Sequence, residues 1–93
     1  MIYAVDIDGT LCKEEHRWWE YDKAPPIQDA INKVNILFGK GYHIIIYTAR
    51  PEKDRLVTYT WLEKHKVRYH ELVMDKPRAD VYLDNSAKRM DEI

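Results

Sequence analysis

Short apolar runs alternate with helical stretches along this chain, and that order leaves few folds open. Ile2 to Ile7 is β-branched and aromatic and reads as a buried strand. Ile27 to Lys40 sets Ile27, Ile31, Val34, Leu37 and Phe38 on one helical face, with Gly39 or Gly41 to stop it. Tyr42 to Tyr47 reads as a second buried strand. After Pro51 the spacing predicts another helix, roughly 54–65, with Leu56, Tyr59, Trp61 and Leu62 among its apolar positions. Tyr69 to Met74 and Asp80 to Leu83 read as two further strands, and the last eight residues as a short helix. Residues 11–26 are polar and aromatic, close on Pro25-Pro26, and read as a loop. Strands alternating with helices predict an α/β fold with a mainly parallel sheet. At 93 residues, the chain is expected to be one domain, 1–93, with a modest core.

Sheets of this kind place their chemistry beyond the carboxyl ends of the strands. The first strand ends at Asp6-Ile7-Asp8-Gly9-Thr10, the second at Thr48-Ala49-Arg50, and the fourth at Asp84-Asn85, while Lys76 and Pro77 follow the third. Every strand thus delivers a polar residue to one edge, which an ordinary core does not need. Alternation along the strand puts Asp6 and Asp8 on one side, with Ile7 turned into the core. Two neighbouring carboxylates repel unless something positive lies between them. With Asp84 they form a hard, oxygen-rich site suited to Mg²⁺. Gly9 permits a tight turn that offers amides to an anion. Thr48 offers a hydroxyl, and Lys76 a point charge of the kind used on phosphates. An EF-hand loop beginning at Asp6 would need Glu at position 17, which is Arg17, so that reading fails.

Composition narrows the classes further. The chain is 45% hydrophobic and 33% charged, as is usual for a globular protein. Its net charge of −1 and scattered Lys and Arg give no basic field, which argues against nucleic acid as a partner. The longest aliphatic run, Ile44-Ile45-Ile46, is far too short to span a bilayer, so no membrane is expected. No basic leader precedes the first strand, and no signal peptide is expected. A lone Cys12 excludes an internal disulfide and fits a reducing compartment. A cytoplasmic location is expected.

In order, "DIDGT", "IIIYTAR" with Thr48, "DKPRAD" with Lys76, and "VYLDN" with Asp84 resemble the four signatures of the haloacid dehalogenase (HAD) superfamily, in its phosphatase branch. The resemblance spans essentially the whole chain. It is particularly similar to small, minimally capped members such as those of capsule polysaccharide biosynthesis. It implies a small Rossmann-like, three-layer fold of about four strands in order 3-2-1-4, with a short cap or flap insert at about 11–26. It also implies that Asp6 attacks phosphorus to form an aspartyl-phosphate, and that Asp8 acts as general acid and then base. Mg²⁺ would be held by the Asp6 carboxylate, the Asp8 backbone carbonyl and Asp84, while Thr48 and Lys76 bind phosphoryl oxygens.

Several residues depart from that pattern or extend it. Asn85 stands where a second acid is frequent, which removes a charge from the metal site. Arg50 reads either as a contact for an anionic substrate group or as an ion pair with Asp54 or Glu52. Trp18 and Trp19, in the insert, read equally as a lid over substrate or as packing against the body or a second copy. Only about six residues join the third and fourth strands, a reach of roughly 20 Å, so the sheet is small and self-association is possible. The expected activity is Mg²⁺-dependent hydrolysis of a phosphomonoester, a small phosphorylated metabolite such as a sugar phosphate. The alternatives are a nucleotide or nucleic-acid end, or a binding module that keeps the fold without turnover.

Overall fold

The computed structural model describes residues 1–14, 18–77 and 90, the side chains of residues 18 and 19 excepted. Three strands and two helices alternate: β1 (Ile2–Val5), α1 (Gln28–Gly39), β2 (His43–Tyr47), α2 (Arg55–Lys64) and β3 (Glu71–Val73). The sheet has order β1-β2-β3 and is parallel throughout, with Val5 opposite Ile46 and Tyr47 opposite Val73. The described strands therefore run 3-2-1, as expected. The expected fourth strand at Asp80–Leu83 and, apart from residue 90, the expected C-terminal helix lie outside the described residues. Successive parallel crossovers running in one direction are right-handed, which puts α1 and α2 on one face of the sheet. Contacts between the two helical segments agree: the Asn35 amide on α1 donates to the Lys66 carbonyl and accepts from the Arg68 N–H just beyond α2.

β1 stops two residues short of the expected Ile7. The Ile7 carbonyl instead accepts the N–H groups of Thr10, Leu11 and Cys12, at 3.0, 2.8 and 3.2 Å, which folds the chain into a tight loop. Gly9 sits at φ +81° in that loop, a conformation costly for any side chain. Ile7 nevertheless stays fully buried. β2 alternates, with Ile44 and Ile46 in the core.

α1 buries Ala30, Ile31, Val34 and Leu37 and ends as expected, with Gly41 at φ +91° turning the chain back into β2. α2 differs from its expected apolar face. Leu56 and Tyr59 are exposed, at 76% and 47%, and the buried face is Thr58, Trp61 and Leu62. One core position of this helix is thus a hydroxyl.

The 11–26 segment is more ordered than its composition suggests. Its base is closed by an antiparallel bridge between Cys12 and Pro26, with Lys13 N–H to the Pro25 carbonyl at 2.9 Å and Ile27 N–H to the Leu11 carbonyl at 2.8 Å. A kinked 3₁₀ segment, Trp18–Lys23, follows inside it and packs against α2. The buried Trp61 indole N–H donates to the Ala24 carbonyl at 2.9 Å and pins the end of the insert to that helix.

Candidate active site

The sheet register brings the exits of β1, β2 and β3 to one level, and the loops that follow are stitched together. Thr48 N–H donates to the Val73 carbonyl, Lys76 N–H to the Thr48 carbonyl and Asp75 N–H to the Arg50 carbonyl, all at 2.9–3.0 Å. Asp75 turns the chain for this purpose at φ +61°, and its carboxylate accepts from Glu52 N–H at 3.3 Å. Thr48 and Lys76 are therefore fixed relative to each other by backbone, not by long side chains. The Lys76 ammonium lies over the Tyr47 ring, 5.3 Å from its centroid.

Asp6 and Asp8 sit just past β1 and have different surroundings. The Asp6 carboxylate accepts its own loop's Ile7 N–H at 2.8 Å. Burial pushes its carboxyl above the usual range. The Ile7 hydrogen bond and the Lys76 charge oppose that shift, while Asp8 and Glu14 add to it. Asp8 is gripped by Arg50. Its Nε donates to Oδ2 at 3.0 Å and its Nη2 to Oδ1 at 2.7 Å, a bidentate fork. The Arg50 side chain is 1% exposed and that of Asp8 28%. Arg50 Nη1 donates to the Thr58 hydroxyl at 3.1 Å, and the guanidinium carbon lies 3.8 Å from the centroid of the buried Tyr21 ring. Thr48 is also buried, and its Oγ1 accepts the Arg50 N–H at 3.2 Å. A phosphoryl oxygen reaching that hydroxyl has to pass the groups that cover it.

A family model described as the polynucleotide kinase PNKP phosphatase domain matches residues 1–91. The chain belongs to the HAD phosphatases. A structural-genomics target from Vibrio cholerae superimposes with a TM-score of 0.84 at 27% identity, over 98% of this chain and 85% of that one. The Pnkp1/Rnl/Hen1 complex gives 0.71 at 24% identity, over 90% of this chain and 30% of its own. A Pnkp1/Rnl/Hen1 RNA repair complex gives 0.70 at 20%, over 96% and 27%. The last two likenesses show the fold. No curated protein matches the sequence. As a phosphatase domain, the chain acts on a phosphorylated substrate.

In this HAD phosphatase the structure brings together Asp6, Asp8, Thr48, Arg50 and Lys76 of the residues singled out above. Asp84 and Asn85 lie outside the described residues, and so do the side chains of Trp18 and Trp19. Among the described residues no group of three His, Cys, Asp or Glu side chains could hold a metal ion. Those residues do fit part of such a site. The Asp6 carboxylate accepts the Ile7 N–H, and Arg50 takes up the Asp8 carboxylate. A hard cation would then find Asp6 and the Asp8 carbonyl, with Asp84 as the expected third ligand.

Arg50 pairs with neither Glu52 nor Asp54: Glu52 binds Arg55, and Arg50 reaches back to Asp8, 42 positions away. Local spacing misled here because sheet pairing, not helix geometry, sets its neighbours. Thr58 and Tyr21 carry no sequence signal of their own. A basic residue three positions past the end of β2, level with the acidic loop that follows β1, is the signal for the Arg50–Asp8 contact. Cys12 lies under the same cluster, its thiol 3.5 Å from Asp8 Oδ1, and burial, with the Asp8 charge, pushes that thiol up to about 12. It is held as a neutral thiol and is no nucleophile.

No helix among the described residues is long and apolar enough to cross a membrane.

Proposed function

We propose that this chain is a Mg²⁺-dependent phosphomonoesterase that works through an aspartyl-phosphate on Asp6. The carrying observation is that two aspartates on one loop are held in two different ways: the Asp6 carboxylate accepts the Ile7 N–H and feels the Lys76 charge, while Asp8 is locked by Arg50. Asp6 suits nucleophilic attack on phosphorus, which splits one hard displacement into two. Asp8, with its plane set by the Arg50 fork, would deliver a proton to the leaving oxygen and take one from the water that hydrolyses the intermediate. Lys76 and the Thr48 hydroxyl would neutralise and orient phosphoryl oxygens, positioned in advance of reaction by the stitched loops. Asp6, the Asp8 carbonyl and Asp84 would hold Mg²⁺, which when bound screens the approach of one anion to another.

Two substrate classes stand. A small phosphorylated metabolite such as a sugar phosphate is the expectation from the sequence. A terminal phosphate on a nucleic acid is supported by the family match and by the likeness to RNA repair assemblies. The insert at 11–26 is read as a minimal flap, a cytoplasmic location fits the lone buried Cys12, and self-association remains part of this reading.

The test is a screen of aryl phosphate, sugar phosphates, nucleotides and 3′-phosphorylated oligonucleotides, each with Mg²⁺ and with a chelator. Hydrolysis that requires Mg²⁺, together with a beryllium fluoride adduct on Asp6, supports the reading. Full activity of Asp6→Asn in a clean preparation refutes it.

A further inference from the structure

We infer that Tyr21, carried on the insert, is a positioning residue for Asp8 that acts through the flat face of Arg50. The inference rests on the reading of Asp8 as proton shuttle. Three segments far apart in sequence meet at one guanidinium: the loop after β1 supplies Asp8, the loop after β2 supplies Arg50, and the insert supplies Tyr21. The edges of the guanidinium are held by Asp8 and Thr58. Hydrogen bonds in that plane fix where its edge points but resist tilting only weakly. The Tyr21 ring, 3.8 Å above the central carbon and 7% exposed, fixes the tilt and keeps water off the face. Exclusion of water also strengthens the Arg50–Asp8 pair itself.

The ring is held firmly enough for this role. Both ends of the insert are joined at the Cys12–Pro26 bridge, and Trp61 secures Ala24, three residues beyond Tyr21. The insert is therefore coupled to the chemistry from below, by bracing the group that holds the acid, and no closure over the substrate is needed for that coupling. Tyr21→Ala or Tyr21→Leu should free the guanidinium plane. Asp8 would then sample positions from which proton transfer fails, and a misplacement of about 1 Å costs on the order of 10²-fold.

The experiment is single-turnover phosphoryl transfer with an alkyl phosphate, which needs a proton on its leaving group, and an aryl phosphate with an acidic leaving group, which does not. Tyr21→Leu, which fills space without a π face, should lose roughly 10–10²-fold on the alkyl ester and under about 3-fold on the aryl ester, with KM little changed. Tyr21→Phe, which keeps the ring, should stay within about 3-fold on both. The Arg50 Nε–H resonance should exchange slowly with water in the parent and in Tyr21→Phe, and fast in Tyr21→Leu. Asp8→Asn is the control and should show the same selectivity, more strongly. If Asp8→Asn discriminates and Tyr21→Leu loses both esters equally, Tyr21 is only structural and the inference is overturned. If Asp8→Asn itself fails to discriminate, the shuttle reading falls and the inference falls with it. Should Tyr21→Leu not fold, Tyr21→Phe decides: a large change in its alkyl-to-aryl ratio assigns the effect to the hydroxyl and overturns the role of the ring face.

Discussion

Replacing Arg50 with Lys keeps the charge and removes the fork. In the parent the guanidinium makes three good hydrogen bonds, two to Asp8 and one to Thr58, from a side chain that is 1% exposed. An ammonium on a shorter reach keeps about one of them. Two bonds with a charged donor are lost, at about 1.5–3 kcal/mol each before relaxation. Outright removal of one partner from a buried pair costs about 3–5 kcal/mol, which bounds the total. A loss of about 2–4 kcal/mol follows, and in a domain of this size it lowers Tm by roughly 10–25 °C. The same change loosens Asp8, so kcat on an alkyl phosphate should fall by about 10²-fold. Thermal unfolding by calorimetry or circular dichroism measures the first quantity. Arg55→Lys is the internal control, because Arg55 pairs with Glu52 at the surface and its replacement should leave Tm nearly unmoved. A double-mutant cycle with Asp8→Asn should return a coupling of about 1–3 kcal/mol. An Arg50→Lys protein that melts within about 3 °C of the parent would refute the buried-fork argument.

Two further outcomes are expected. Burial holds the Asp6 carboxyl above its ordinary range, so the unfolded chain gives up that proton first and folding is penalised as pH rises. In metal-free buffer Asp6→Asn should therefore melt higher than the parent at neutral pH, with the difference vanishing below about pH 4; an Asn variant less stable at neutral pH contradicts this. Thr58→Val keeps the volume and leaves one Arg50 donor without its partner, at a cost of about 1–3 kcal/mol in chemical denaturation; a neutral result would mean that another acceptor serves that donor.

The alternation of strands and helices was legible because β-branched runs and a helical apolar period depend on local spacing alone. For the same reason α1 matched expectation, whereas the 3-2-1 strand order came from the family resemblance and not from spacing. The placement of Thr48 and Lys76 at one edge followed from strand ends, which parallel pairing brings level. What escaped the sequence were the contacts made between segments. Arg50 had acidic neighbours at Glu52 and Asp54 within easy reach, and only the pairing of β1 with β2 shows that Asp8 is nearer. Leu56 and Tyr59 counted as core by type, yet the face of α2 that turns inward carries Thr58, because the guanidinium beneath needs an acceptor. β1 ended early because the Ile7 carbonyl takes up three loop amides, a pattern with no compositional trace.

The closed neck of the insert has a consequence for how this fold can change. The chain leaves and re-enters the body at one point, where Lys13 meets Pro25 and Leu11 meets Ile27. Added length between residues 14 and 18 does not widen the gap that the body must bridge, and each doubling of such a loop costs only about 0.6 kcal/mol in closure entropy. The stretch from Tyr21 to Ala24 has to keep its seat. Length can thus be added to the insert while the groups beyond its neck keep their alignment, so substrate preference and catalytic machinery are free to evolve on separate segments of one small chain.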